Sequence, residues 1–459
     1  MKLLLVAHHF PPMGGAGVQR ALKFARYLGD FGVAVTVLAG DDPDYLQDPS
    51  LLAELPASVV VHRVRHRTLL SRGLAWRRQR SRKPRIGSAA AAVAAGPRAA
   101  APQRHHASPR WRDAVLAAWQ ALQWPDERGG WSRAAWPVGR ALLRDGGFDL
   151  VMSTAPPVSV HALARRLARD ANLPWVADWR DLWADNPGYA APDWRRAIDR
   201  AVERRWLRDA AGVVAVTPSW RSRFAAGLAG HTPVAWIPNG YDEADFAGPL
   251  SGRAPADGAF RLVHVGSFYG PRDPAPVLEA LGRCLAIGQG RRALRLRLVG
   301  AIGHRFDAAL AAFEARHPGV VERIPYVPHA QAVAEMRAAD ALLLLVGAGA
   351  GTGRPEVREV VAGTLPGKLF EYLRSGPPVL LLGDPGGDAA NLLRAHGRGW
   401  VADETDPAAI AQAMAAMFGP TPAAPDDAQV PRFERRALAG ELAGFLRDVQ
   451  QRFAARQHG

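Results

Sequence analysis

The 459 residues predict an α/β protein built as two Rossmann-like halves, each a doubly wound parallel sheet. Three observations carry this expectation. Apolar runs of strand length alternate with helix-period patterns from Leu3 onward, as repeated βα units require. The stretch Pro249 to Gly258, PLSGRAPADG, has linker composition, and a second strand–helix series begins after it. A chain of this length also exceeds one ordinary hydrophobic core, so two or three domains are expected.

In the first half, Leu3 to Ala7 is a buried strand, a Gly loop follows, and Val18 to Gly29 has helical spacing. Val33 to Leu38 and Val59 to Val64 are the next strands. Beyond a basic stretch, Trp111 to Trp124 and Ala134 to Leu143 read as amphipathic helices. Phe148 to Ser153 is a strand, His161 to Arg169 a helix, and Trp175 to Ala177 a strand. A helix at Ala197 to Trp206, strand Gly212 to Val216, a short helix near Arg221 and strand Val234 to Ile237 complete this half. The second half has strands at Phe260 to Val265, Leu294 to Val299, Val321 to Pro325, Ala341 to Val346, Val379 to Leu382 and around Trp400. From Val430 the apolar residues Phe433, Leu438, Leu442, Phe445, Leu446 and Val449 predict a closing helix. The expected organisation is thus 1–248 with an excursion at about 71–110, a linker 249–258, a second domain 259–429 and a closing helix 430–459.

Composition removes several classes of function. One cysteine, Cys284, excludes an internal disulfide framework and a multi-cysteine metal site, and its apolar helical setting predicts a buried thiol. This fits a reducing cytoplasm. The N-terminal MKLLLVAHHFPP is too short in apolar residues for a signal peptide, and no stretch offers the ~20 apolar residues of a membrane span. The formal charge of +15 is local: residues 61–112 hold 14 Lys or Arg and no acid, while the remainder holds 44 basic and 43 acidic residues. That stretch, centred on RRQRSRKPR and continued by SAAAAVAAGPRAAAPQ, predicts an arm leaving a folded domain.

Ligands of open α/β sheets bind beyond the carboxyl ends of the strands, and five segments there carry suitable chemistry. Pro11 to Gly17 contains Gly14, Gly15 and Gly17, which allow close backbone approach ahead of a helix start that suits an anion or a sugar. Ser153 to His161 places a histidine near a helix start, where a neutral imidazole meets a hydroxyl or serves the fold. Asp178-Trp179-Arg180-Asp181-Leu182-Trp183 offers carboxylates, a guanidinium and indoles, a set that suits a sugar or an internal ion pair. Gly266 to Asp273 carries Arg272 at a Gly-rich turn, where a guanidinium can bind a diphosphate bidentately. In TLPGKLFEYLRSGPPVLLL, Thr364 to Leu382, Pro366 and Gly367 open a helix that bears Lys368, Leu369 and Glu371. A carboxylate there can accept from two neighbouring ribose hydroxyls, and Lys368 with the helix start attracts phosphate.

The order of HHFPPMGGAGVQRALKFARYL, WPDERGGW, STAPPVSVHALARRL, WVADWRDLW, VAVTPSW, IPNGYD, VGSFYGPRDP, YVPHAQAVAEMRAADALLLL and PGKLFEYLRSGPPVLLL resembles glycosyltransferase family 4, retaining enzymes of GT-B architecture. The resemblance covers the chain outside the basic stretch. It implies that Glu371 holds the nucleotide ribose, Arg272 the donor diphosphate, and the backbone at Tyr326 and Val327 the nucleobase edge. It further implies that Gly14 and Gly15 face the donor phosphates and the acceptor. Two positions depart from the family pattern: Gly363 stands where the first of two glutamates often falls, and Ser267 where a basic residue is common.

The sequence therefore predicts a retaining, metal-independent glycosyltransferase that moves a sugar from a nucleotide-diphosphate sugar to a hydroxyl, with no cofactor. Arg272, Lys368 and His161 are its expected catalytic residues. Gly14, Gly15, Tyr326, Val327, Leu369 and Glu371 complete the donor site, and Gly17, Asp178, Arg180 and Asp181 form the acceptor site. Polysaccharide or glycolipid synthesis, a lipid-linked acceptor and an anionic membrane surface on the cytoplasmic side are the expected context. Two rivals stand beside this reading: a nucleotide-sugar 2-epimerase of the same fold, and a nucleic-acid binder that uses the Arg-rich stretch.

Overall fold

The computed structural model describes residues 1–66, 124–189, 191–248, 258–266, 274–287, 293–347, 355–419 and 427–458. The basic excursion, the expected helix Trp111 to Trp124 except its last residue, the linker except Gly258, and Ser267 and Arg272 lie outside them. The chain divides into two units, Met1–Val216 with Trp220–Ile237 and Ala439–Gly459, and Thr217–Ser219 with Pro238–Leu438.

Among the described residues the first unit holds a seven-stranded sheet: β1 Lys2–Ala7, β2 Ala34–Asp41, β3 Val60–Arg65, β4 Leu150–Ala155, β5 Trp175–Trp179, β6 Gly212–Ala215 and β7 Val234–Trp236. The order is β3-β2-β1-β4-β5-β6-β7 and every pairing is parallel. Burial on both faces explains why β1 reads as a continuous apolar run, while β4 and β5, buried throughout, also carry Ser153, Thr154 and Asp178. The crossovers are the helices Ala16–Tyr27, Gly129–Gly146, Ser159–Asp170, Asp193–Asp209 and Pro218–Leu228. The predicted closing helix spans Arg435–His458 and from Ala439 belongs to this unit, where the Arg447 guanidinium donates to the Phe31 carbonyl.

The second unit repeats the plan with β8 Phe260–Val265, β9 Leu294–Val299, β10 Val321–Ile324, β11 Ala341–Leu345, β12 Val379–Leu382 and β13 Gly399–Ala402. Their order is β10-β9-β8-β11-β12-β13, again all parallel. Phe260, Leu281, Phe313, Leu343, Leu380 and Met414 lie in one core, against which Cys284 is packed. No described helix is long and apolar enough to cross a membrane.

Each sheet reverses its winding once, between β1 and β4 and between β8 and β11, and a crevice for ligands opens at such a switch point. In the second unit the opening is visible in the ladder. β8 pairs with β9 from Phe260↔Leu294 to Val265↔Val299, whereas its described pairing with β11 stops at Leu342↔Val263. Beyond that point the phenol of Tyr372, fully buried, takes the place of the ladder, accepting from the Val265 amide at 2.9 Å. A φ of 131° at Gly300, just past β9, seats that backbone where a side-chain carbon would lie 2.3 Å from the Gly266 carbonyl. Tyr372→Phe leaves the Val265 amide without its acceptor, and a loss of about 1–3 kcal/mol in denaturant unfolding is expected; an unchanged midpoint would show that the hydroxyl does not hold the strands.

Candidate functional site

At the carboxyl edge of the first sheet the loop after β1 is clamped by its neighbour. The Gly14 amide donates to the Leu46 carbonyl at 2.8 Å and the Asp48 amide to the Pro12 carbonyl at 2.7 Å. A side-chain carbon on Gly14 would lie 2.9 Å from Asp48 Cβ, which restricts this close approach to glycine. Gly15, exposed and with φ 88°, caps the helix Ala16–Tyr27 without a side-chain acceptor and so leaves its first amides to an incoming group.

Arg180 lies one residue beyond β5 and gathers three loops. Its Nε donates to the Ala155 carbonyl at 3.0 Å, Nη2 to the Pro156 carbonyl at 2.6 Å, and Nη1 to the Gly17 carbonyl. The expected acceptor residues Gly17 and Arg180 thus meet, and the neighbouring Asp181 is exposed. Asp178 does not join them, which corrects the expectation for that residue. It is fully buried and accepts from Arg20 Nε at 2.9 Å, Arg20 Nη2 at 2.8 Å and Thr154 Oγ1 at 2.7 Å. Both of its oxygens serve the fold.

His161 is likewise inside the first unit, with no exposed surface. Trp175 Nε1 donates to Ser153 Oγ at 2.8 Å, so the hydroxyl's own proton is directed to His161 Nδ1, also 2.8 Å away. That assignment puts the remaining ring proton on Nε2. Burial lowers the imidazole pKa to about 3, and the ring packs 4.4 Å from Trp179, centroid to centroid. The expected catalytic contact of His161 is therefore replaced by a place in the core behind β5. The imidazole at the edge is His9, which sequence reasoning missed although HHFPP precedes the glycine loop. Its ring lies 4.9 Å from Tyr45, and burial, then the charges of Arg180 and Arg128, lower its pKa to about 4. It is neutral at pH 7 and able to hydrogen-bond a hydroxyl.

In the second unit the helix Gly367–Ser375 buries Leu369, Phe370, Tyr372 and Leu373 on one side and presents Lys368 and Glu371 on the other. Lys368 Nζ is 3.3 Å from Glu371 Oε2, and Gly367 at the helix start is exposed. The Leu369 side chain is inside the core, so any donor contact at that residue falls to its backbone. Tyr326, 66% exposed, and the half-buried Val327 follow β10 and lead into the helix His329–Arg337. The structure adds His329, which the sequence had not marked. Its Nε2 is 3.1 Å from Asp245 Oδ2 and 4.0 Å from Glu371 Oε1, and the bond to Asp245 raises its pKa. Gly363 is buried where the helix Pro355–Ala362 has just ended, with its amide donating to the Glu359 carbonyl at 3.1 Å.

Residues 85–240 match the family model of the glycosyl transferase 4-like domain. No curated protein matches the sequence. Among solved structures, HepE from Anabaena in complex with UDP is 14% identical, with 100% of each chain covered and a TM-score of 0.55. Sucrose-phosphate synthase from Thermosynechococcus elongatus is 14% identical, covering 100% of this chain and 98% of its own, with a TM-score of 0.53. UDP-GlcNAc 2-epimerase from Methanocaldococcus jannaschii is 10% identical over 97% and 99% of the two chains, with a TM-score of 0.53. At these identities the likeness establishes the fold, the GT-B pair of parallel-sheet domains.

His161→Ala opens a cavity beside Trp179 and removes the partner of Ser153; a loss of about 2–4 kcal/mol is expected. Activity per folded molecule should stay near that of the unaltered protein in the same samples, and full stability with lost turnover would return His161 to the substrate. For His329 the pairing with Asp245 stabilises the charged ring. Its contribution is complete below the ordinary pKa of 6.5 and fades as pH rises through the raised value. Asp245→Asn should lower the His329 titration midpoint, followed by the NMR shift of its ring C–H protons; an unmoved midpoint would show that the pair does not form in solution.

Proposed function

We propose that this chain, with its glycosyl transferase 4-like domain and GT-B fold, transfers a sugar from a nucleotide-diphosphate sugar to a hydroxyl acceptor, with retention at the anomeric carbon and without a metal ion. The observation that carries the reading is the pair Glu371 and Lys368 on an uncapped helix start in the second unit. A carboxylate that accepts from two vicinal hydroxyls, beside a cation and free helix amides, fits a ribose followed by phosphates. HepE and the synthase share the fold, and the HepE complex holds UDP, which makes UDP-sugars the first donors to test.

The second unit thus takes the donor, through Glu371, Lys368, the Leu369 backbone, and the segment Tyr326–Val327 against the base. The first unit takes the acceptor beside Gly17, Arg180 and Asp181, and its loop at Gly14 and Gly15 suits an anion. In the transfer the bond from the anomeric carbon to the diphosphate breaks, the acceptor oxygen bonds to that carbon, and its proton leaves with the diphosphate or to water. Negative charge grows on the departing diphosphate, where Lys368, Arg272 and the helix start at Gly367 lower its energy more than in the ground state. The acceptor is a sugar or lipid-linked hydroxyl of polysaccharide or glycolipid synthesis, and the protein works at the cytoplasmic face of an anionic membrane, to which residues 61–112 contribute basic charge.

Incubation with UDP-sugars, alone and with hydroxyl acceptors, tests the reading. UDP release that depends on acceptor, with a product of unchanged anomeric configuration by NMR, is expected. An isomerised sugar formed without acceptor would establish the epimerase instead. Glu371→Gln should weaken nucleotide-sugar binding by about 1–3 kcal/mol in calorimetry while the fold persists, because an amide replaces one carboxylate oxygen with a donor; equal affinity would remove the ribose assignment.

A further inference from the structure

Seven large apolar side chains are exposed among the described residues, and three of them meet at one helix of the first unit. Trp194 is 59% and Ile198 49% exposed, one turn apart at the start of helix Asp193–Asp209. Trp124, 41% exposed, stands alongside, with its Nε1 3.1 Å from Asp199 Oδ1 and its ring 6.1 Å from that of Trp206.

Charge is sorted across the same helix. Its two central acids point inward: Asp199 accepts from Tyr189 Oη at 2.6 Å and from Arg195 Nε at 2.9 Å, and Glu203 accepts from the Ala184 amide at 3.2 Å. Along the length of the helix the exposed charged residues include Arg200, Arg204 and Arg205, with exposed acids only at its two ends, Asp193 and Asp209, the latter bonded to Arg165. Arg200 is paired with Asp185 at 2.7 Å, whereas Arg204 and Arg205 form no ion pair among the described residues. One outward face therefore offers an indole and an isoleucine followed by cationic side chains.

We propose that this face of helix Asp193–Asp209 docks the protein on an anionic lipid bilayer. The inference rests on the proposed membrane association but assigns it to helix Asp193–Asp209 rather than to residues 61–112. Indoles favour the headgroup region, isoleucine enters the acyl boundary, and arginines are drawn to a negative surface. A second copy of the chain is a poorer partner, since three apolar side chains fall well short of the ~800 Å² per side of a standard protein interface. The helix follows directly on the β5 loop that carries Arg180 and Asp181, so docking holds the acceptor-binding edge near lipid-linked hydroxyls.

Co-sedimentation with phosphatidylcholine vesicles, with and without phosphatidylglycerol, tests this on the full chain. Three variants are compared: Trp194→Ser with Ile198→Ser, Arg204→Glu with Arg205→Glu, and deletion of residues 71–108, each first checked by thermal unfolding. Binding of the unaltered protein to the phosphatidylglycerol vesicles is expected to fall about tenfold or more in either helix variant. The effect of the arginine pair should vanish in high salt. Loss on deletion alone, with both helix variants binding normally, overturns the helix as the docking face and leaves the membrane association standing; no binding to either vesicle overturns both. Equal binding to neutral vesicles, a dimer that the Trp194 variant dissociates, or single-stranded RNA binding lost in the arginine variant would each assign the face to another role.

Discussion

A parallel sheet that reverses its winding must leave two central strands whose crossovers depart to opposite faces, and their carboxyl ends are then free to part. Something polar has to satisfy the backbone where they separate, because water is excluded a residue or two deeper. In the second unit that role falls to the phenol of Tyr372 and to His264, whose Nδ1 lies 2.9 Å from the Leu343 carbonyl. Tyr372 reaches the Val265 amide from a helix that does not belong to either strand, and its burial raises its own pKa so that it stays a neutral hydroxyl. In the first unit the equivalent region is tied by the Arg20–Asp178–Thr154 network, three residues from a helix and two strands, with Arg20 Nη2 also donating to the Ile237 carbonyl at 2.8 Å.

These anchors lie next to the proposed site residues. Glu371 is the residue before Tyr372, and Arg180 stands two residues after Asp178. In both cases a buried, hydrogen-bonded side chain fixes a short backbone stretch, and a residue close to it in sequence inherits a defined position. Positioning of this kind lets a loop or a helix start hold a charge at a fixed place. Arg180 goes further: its bonds to the carbonyls of Gly17, Ala155 and Pro156 join the segments that follow β1, β4 and β5.

What could be read from the sequence divides along the same line. Strands such as β8, β9 and β12 are local apolar runs, and the structure finds them at the residues expected. Lys368 and Glu371 are three residues apart on a helix with a visible start, so their meeting was legible as well. The partners of Asp178 were not, because Arg20 lies 158 residues away and no local pattern distinguishes a carboxylate that pairs inward from one that faces solvent. His161 was misjudged for the related reason that a helix-start position does not reveal depth. Asp245 and His329, 84 residues apart, were invisible for want of any shared motif.

The buried histidines of the first unit give it one contribution to stability that acid removes. His8, His9 and His161 are held uncharged, with pKa values lowered to about 2, 4 and 3, chiefly by burial. Below the ordinary value of 6.5 an unfolded chain takes up protons that these three folded imidazoles refuse, a contribution that favours unfolding, while Asp181 and Glu203, pushed up to about 6 and 7 chiefly by desolvation, hold protons in the folded unit and act in the opposite sense. His329 in the second unit carries the opposite sign, since its charged form is the one the fold prefers. The two units thus carry histidines whose contributions to stability change with pH in opposite directions.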